Sequence, residues 1–222
     1  MRPVAEQLPQ PGYAADGPRP SVGFSVEVPD HWTVLDLDPG TQERWVDAFL
    51  DPRLAGRPRA EEERPPARRA LLDVLRRLHE GRVFLAAILA GEVGGELMSA
   101  SATLAWRRPG PRSGPPNLAA LYEVYARAPA RAEEDRRMRR VEVVDLPAGG
   151  AVRVSTRETV ELPTGARAHG VAITQYVIPV RSTGWLALIT TTTGTPALAA
   201  GVEEVATSLA ASLRFAPQPV TG

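Results

Sequence analysis

Apolar and polar residues alternate over Phe24-Ser-Val-Glu-Val28, and Pro29-Asp30 closes the run, as a half-buried strand ending in a turn would require. Trp32, Val34, Leu35 and Leu37 predict a second short strand, stopped by Asp38-Pro39-Gly40. Behind it Thr41 is a good helix N-cap, and Trp45, Val46, Phe49 and Leu50 recur at helical spacing as far as Pro52. Residues 52–66 are rich in Pro, Arg and Glu without a period and read as a loop. Leu71, Leu72, Leu75 and Leu78 then make one stripe of a helix that Gly81 ends. Pro65-Pro66 lie near its start, with Glu61, Glu62 and Glu63 just upstream where the helix dipole favours acids. Its other face carries Arg68, Arg69, Arg76 and Arg77.

The remainder is mostly extended. Val83 to Leu89, a glycine-rich five-residue connection at 91–95 and Glu96 to Trp106 predict a hairpin, the second arm alternating Leu97, Ser99, Ser101 and Thr103 with Met98, Ala100, Ala102 and Leu104. A Pro/Gly/Arg loop covers 107–116. Asn117 then caps a helix with Leu118, Leu121, Tyr122 and Tyr125 on its core face. Residues 141–146 and 151–160 predict a second hairpin, 170–180 and 185–192 two more strands. Thr195 and Pro196 open a last helix with Leu198, Val202, Val205 and Leu209 inward, and Ser212 to Phe215 forms a closing strand. Seven or eight strands with hairpin connections and three or four helices make an α+β domain with a mainly antiparallel sheet.

Composition narrows the chemistry. The 222 residues suit one domain better than two, with tails at 1–21 and 217–222 around a single unit at 22–216 that has extended loops near 52–66 and 107–116. The tail at 1–21 is expected to be extended and untethered. There is no cysteine, which removes disulfides, thiol catalysis and cysteine-bound metal. All 26 basic residues are arginine, so Schiff-base chemistry and a standard phosphate loop have no lysine to use. The lysine-free, Ala/Arg/Gly/Pro-rich composition also reads as the coding bias of a GC-rich genome. With no apolar run long enough for a signal or a span, the expectation is a cytoplasmic protein without membrane insertion.

His31, His79 and His169 are isolated from one another and from any metal-spaced partner, and no metal or cofactor is expected. Asp36 and Asp38 form a DxD, but Pro39-Gly40 follows and turn roles account for both. Thr190 to Thr193 offers hydroxyls to a ligand, yet the tract continues Trp185-Leu-Ala-Leu-Ile189 and reads as a strand end. The four tryptophans, Trp32, Trp45, Trp106 and Trp185, read as core anchors. Charge sums to zero but is uneven: 51–82 holds nine arginines against six acids and 107–140 nine against four. The densest cluster, Arg136, Arg137, Arg139 and Arg140, is the candidate partner-binding site, for an acidic protein surface rather than nucleic acid, since exposed aromatics are missing beside it. A displayed Leu71–Leu78 stripe would leave a homodimer open.

The opening FSVEVPDHW, the central VEVVDLPAGGAVR hairpin, YVIPV, GWLALITTTTG and the closing VATSLAASLRF together resemble the PsbP-like superfamily over 24–37 and 141–215. That family includes LpqN-type lipoproteins and chaperones of secretion effectors. The resemblance implies an α/β/α sandwich around an antiparallel sheet, and a non-enzymatic binding, adaptor or chaperone-like role, serving a secretion or other multiprotein system. The lipoproteins' lipobox is absent, and 41–140 is longer than in compact members. The alternative is a small-molecule binding protein or hydrolase in which Asp36, Asp38 and a histidine converge.

Overall fold

A computed structural model describes residues 2–6, 22–56, 59–93, 96–108, 117–128, 138–161, 167–181 and 183–217, excluding the side chains of 2–6, 92–97, 158–169 and 217. Strands β1 (Arg2–Glu6), β2 (Val22–Val28) and β3 (Thr33–Val34) precede helices α1 (Gln42–Leu54) and α2 (Ala60–Glu80). The hairpin β4 (Val83–Val93) and β5 (Glu96–Arg107) follows, then α3 (Leu118–Ala126). Strands β6 (Arg140–Leu146), β7 (Gly149–Glu161), β8 (Arg167–Val180) and β9 (Trp185–Thr193) run as a meander. A single 3-10 turn leads into α4 (Ala199–Ser212) and β10 (Arg214–Pro217) closes the described chain.

Among the described residues the strands form two antiparallel sheets. The large one has seven strands in the order β3-β4-β5-β9-β8-β7-β6, and the small one is β1-β2-β10. The fold is therefore α+β with helices packed on a mainly antiparallel sheet, as the periodicity predicts. Each face of the large sheet has its own cover. Tyr176, Ile178, Ile189, Leu104 and Phe84 face α4 and the small sheet, meeting Val202, Ala206 and Leu209 in the main core. The opposite face is covered twice, by α1 and α2 over the β3–β4 end and by α3 over β6, β7 and β8. An aromatic chain welds the small sheet to the large one: Phe24 meets Phe84 edge-on at 4.5 Å, Phe84 stacks on Trp106 at 4.6 Å, and Trp106 lies 5.9 Å from Phe215. Trp32, Trp106 and Trp185 are buried, while Trp45 is half-buried and stacks on Phe49 at 5.0 Å.

Several boundaries differ from the periodicity reading. Residues 2–6 are paired with β2, Arg2 opposite Val28, where an untethered tail was expected. The loop expected near 52–66 is largely helix: α1 runs through Pro52 and α2 begins at Ala60 and includes Pro65 and Pro66. Acids at Glu61, Glu62 and Glu63 favour that early start against the two prolines, which lack the N–H a helix would use. Val93 stands opposite Glu96, so the β4–β5 arms extend beyond the five-residue connection expected. Leu35 and Leu37 lie outside β3, which covers two residues. Asn117 caps α3, its Oδ1 accepting from the Ala120 N–H at 2.8 Å, but Thr195 makes no side-chain cap at the last helix. Residues 109–116 of the expected 107–116 loop, and 218–222 of the C-terminal tail, lie outside the described residues.

The leucine stripe of α2 is used inside the chain, not displayed as a dimer surface. Leu75 is 1% exposed and, with Leu71, Leu72 and Leu78, packs against Val46, Leu50 and Ala86. Arg68 adds ion pairs to Glu43 and Asp47 on α1, at 2.9 and 3.0 Å. Those hydrogen bonds, to Asp47 first and then Glu43, hold the guanidinium pKa above its ordinary value, leaving it charged at any working pH. Exposed pairs of this kind contribute little, whereas a buried leucine lost to a cavity is costly. Leu75→Ala should therefore destabilise by about 2–5 kcal/mol, and Arg68→Gln should leave the urea midpoint nearly unchanged. Equal midpoint shifts in the two variants would contradict this division.

Candidate binding groove

On the face shared by α2 and α3, neither helix covers the middle of the sheet. Antiparallel pairing sets Thr103 of β5 opposite Thr190 of β9, and Thr190 opposite Gln175 of β8. Strand side chains alternate between faces, so these three lie in one row on one face. The next row places Ser101 opposite Thr192, whose hydroxyls bond each other at 2.7 Å. Thr191 and Thr193 point the other way and are buried, Thr193 Oγ1 donating to the Ser99 carbonyl at 2.7 Å. The threonine tract is thus split: alternate residues serve the core and the open face.

This face holds a groove of about 300 Å3. Thr103, Thr190 and Gln175 give it a polar floor, continued by Ala105 and Leu188. Val74, Arg77 and Leu78 of α2 form one wall, and Arg107 at the end of β5 stands at the rim. Arg82, with φ of 58°, turns the chain sharply from α2 into β4 and brings the last turn of the helix down beside the sheet. That left-handed conformation disfavours any side chain but glycine's hydrogen.

The floor has hydrogen-bonding capacity to spare. Gln175 Nε2 donates to Thr190 Oγ1 at 2.9 Å, so the Thr190 hydroxyl proton remains to donate and Gln175 Oε1 to accept. The Thr103 hydroxyl has no partner among the described residues. Such a row of small hydroxyl and amide groups, flanked by apolar walls, can orient a polar molecule by direct hydrogen bonds.

The sequence-derived candidates fall elsewhere. Asp36 accepts from the Thr41 hydroxyl at 2.5 Å and the Asp38 N–H at 3.0 Å, and Asp38 accepts from the Gly40 N–H at 3.0 Å, so both are turn residues. His31 is exposed, His79 sits in the last turn of α2, and the side chain of His169 is outside the described set. The described residues contain no group of three His, Asp or Glu placed to hold a metal. Arg136 and Arg137 lie outside the described residues; Arg139 donates to the Ala128 carbonyl at 2.6 Å, and Arg140 pairs with Glu142 at 2.7 Å. Tyr122, expected on the core face of α3, is 38% exposed, whereas Leu121 of the same expected stripe is buried. Part of the groove was within reach of a sequence argument: Ser101 and Thr103 are small polar residues on one face of a strand whose other face is apolar, whereas Thr190 and Thr192 sit in an unbroken threonine run that does not announce a face. Gln175 gave no such signal.

A second hollow of about 570 Å3 lies between β10 and the β6–β7 turn, lined by Val22, Leu146, Val180 and Phe215, with Arg181 and Arg214. There Arg214 is already engaged with the Ala211 and Leu213 carbonyls.

No family model matches the chain, and no curated protein does. Among solved structures the chain is similar to LpqN, described as involved in cell envelope biogenesis of Mycobacterium tuberculosis. Identity is 9%, the TM-score is 0.45, and the overlap covers 97% of this chain and 91% of that one. A likeness of that size transfers no function. No helix among the described residues is long and apolar enough to cross a membrane.

Tyr125 of α3 is half-buried against the cluster of Leu121, Val152 and Val154. Burial raises its pKa above the ordinary value by disfavouring the phenolate, and the charge of Arg107 offsets this in part. A pKa raised by folding means stability that is complete below the unfolded-state value of about 10 and lost as pH rises through the folded one. The urea midpoint should therefore fall above about pH 10, and Tyr125→Phe should make that alkaline fall shallower. Superimposable pH profiles for the two proteins would refute the assignment.

Proposed function

We propose that this chain is a non-enzymatic binding protein of PsbP-like architecture, which takes a small polar ligand in the groove between α2 and the β5-β9-β8 floor. The observation that carries the reading is the floor itself: Thr103, Thr190 and Gln175 keep hydrogen-bonding capacity that no described residue uses. All three are partly exposed in the groove, where a ligand's hydrogen bonds can replace those of water. Apolar walls with a few convergent polar groups are the usual form of a small-molecule site. The described lining includes no histidine, aspartate or glutamate, which favours holding a ligand over acid–base chemistry on it. Recognition through Arg139 and Arg140 is less well supported, because both are engaged within the chain.

The test is a titration of the 15N-labelled full chain, followed by amide shifts, with ribose, glucose, acetate and inorganic phosphate at millimolar concentrations. Saturable shifts centred on Thr103, Gln175 and Thr190 are expected from at least one probe, and Thr190→Trp, which fills the groove, should abolish them. Shifts that never saturate, or that centre away from those residues for every probe, would sink the proposal.

A further inference from the structure

We infer that the ligand of this groove is a small organic anion, its carboxylate or phosphate held by Arg77 and Arg107 and its hydroxylated body by Thr103, Thr190 and Gln175. The inference rests on the groove being the binding site and adds the charge and class of what it takes. Two independent observations carry it.

The first is the contrast among arginines. Arg64, Arg68, Arg76, Arg127, Arg140 and Arg153 each form an ion pair with a carboxylate. Arg77 and Arg107 line the groove, and neither has a carboxylate partner among the described residues. Arg44 and Arg69 also lack a carboxylate among the described residues, but they stand on exposed helix positions outside the groove, whereas Arg77 and Arg107 flank a polar floor. The lining also offers no acid to oppose a bound anion. The one opposing field is the C-terminal end of α2, since Gly81 is part of the wall. A helix end carries roughly half a negative charge, against two full positive charges. Guanidinium is suited to carboxylate and phosphate because its N–H groups match their oxygens two at a time.

The second observation is the geometry of the floor. Donor and acceptor alternate along it, with the Thr190 hydroxyl free to donate and Gln175 Oε1 free to accept. That matches vicinal hydroxyls, which both donate and accept. A volume of about 300 Å3 holds a molecule of monosaccharide size. The shared chemistry is an anionic group on a hydroxylated body, and a sugar acid and a sugar phosphate are its two sources.

The experiment is a titration of the full chain with glucuronate, glucose 6-phosphate and glucose, at low and at high salt. At least one of the two anions should bind at least about tenfold more tightly than glucose, and which one is tighter identifies the source. Arg77→Gln and Arg107→Gln should each weaken the anion by about tenfold and leave glucose unaffected, while Arg69→Gln, on an exposed part of α2 away from the groove, should change nothing. Added salt should weaken the anion and not glucose. If glucose binds as tightly as both anions, or both glutamine variants keep wild-type affinity, the anion inference is overturned and the groove reading stands. If none of the three moves the amides of Thr103, Gln175 and Thr190, the groove reading falls as well.

Discussion

The pairing of β5 with β9 is the constraint on which the rest of the molecule depends. Every other neighbouring pair in the large sheet from β5 to β6 is a hairpin or meander contact, closed locally, but β5 meets β9 across 79 to 93 residues, from Arg107 opposite Leu186 to Ala100 opposite Thr193. Without that seam the β4–β5 hairpin with α1 and α2 would be one unit and the β6–β9 meander with α3 and α4 another. Long-range pairing of this kind carries the loop-closure cost that local hairpins avoid. The seam is reinforced on its core side by Leu104, Ile189 and the helix α4 lying under β8 and β9, and on its open side by the Ser101–Thr192 hydroxyl bond.

The groove follows from how that seam is covered. On the core side, α4 and the small sheet span the junction, so large apolar residues face it. On the other side the helices belong to the two halves separately: α2 stays over β4 because Leu75 docks on Ala86 and the α1 leucines, and α3 stays over β7 because Leu121 packs with Val152 and Val154. Gly150 sharpens the second docking. A Cβ there would stand 2.5 Å from Leu118 Cδ1, so α3 sits as close to the β6–β7 hairpin as a glycine allows. Two helices drawn apart in this way leave a strip along β5, β9 and β8, faced by Thr103, Thr190 and Gln175, with Ala105 and Leu188 beside them. Threonine suits both demands, being β-branched for the strand and polar for the opening.

Period-two and period-3.6 patterns made most of this fold legible. The two hairpins, the leucine stripe of α2, the Asn117 cap and the buried stripe of the terminal helix stand where alternation and helical spacing put them. Helix α2 starts before its prolines with Glu61, Glu62 and Glu63 in its first turn, where the helix dipole favours acids. What local patterns did not reveal was set by tertiary context. Strand β1 depends on a partner, β2, that local alternation in 2–6 does not announce. The groove was half visible. The polar face of β5 and the threonines of β9 are plain in the sequence, but only the strand order brings Thr103, Thr190 and Gln175 into one row, and strand order is a long-range property.

Arginine content illustrates the same separation between local and global information. In a chain without lysine, an arginine at any one position says little, and the densest cluster, at 136–140, drew attention by count alone. The structure replaces count with pairing. Arg140 is neutralised by Glu142, and Arg153 joins Glu142 to Glu203 across β6, β7 and α4, so those charges hold strands and helix together. Arg77 and Arg107 are ordinary in the sequence, at the end of a leucine helix and the end of a strand. Their significance comes from standing at one opening without a carboxylate between them. A guanidinium that the fold pairs is committed to the fold. Arg44 and Arg69 also lack a carboxylate among the described residues, so the polar floor beside Arg77 and Arg107, and not the missing partner alone, sets those two apart.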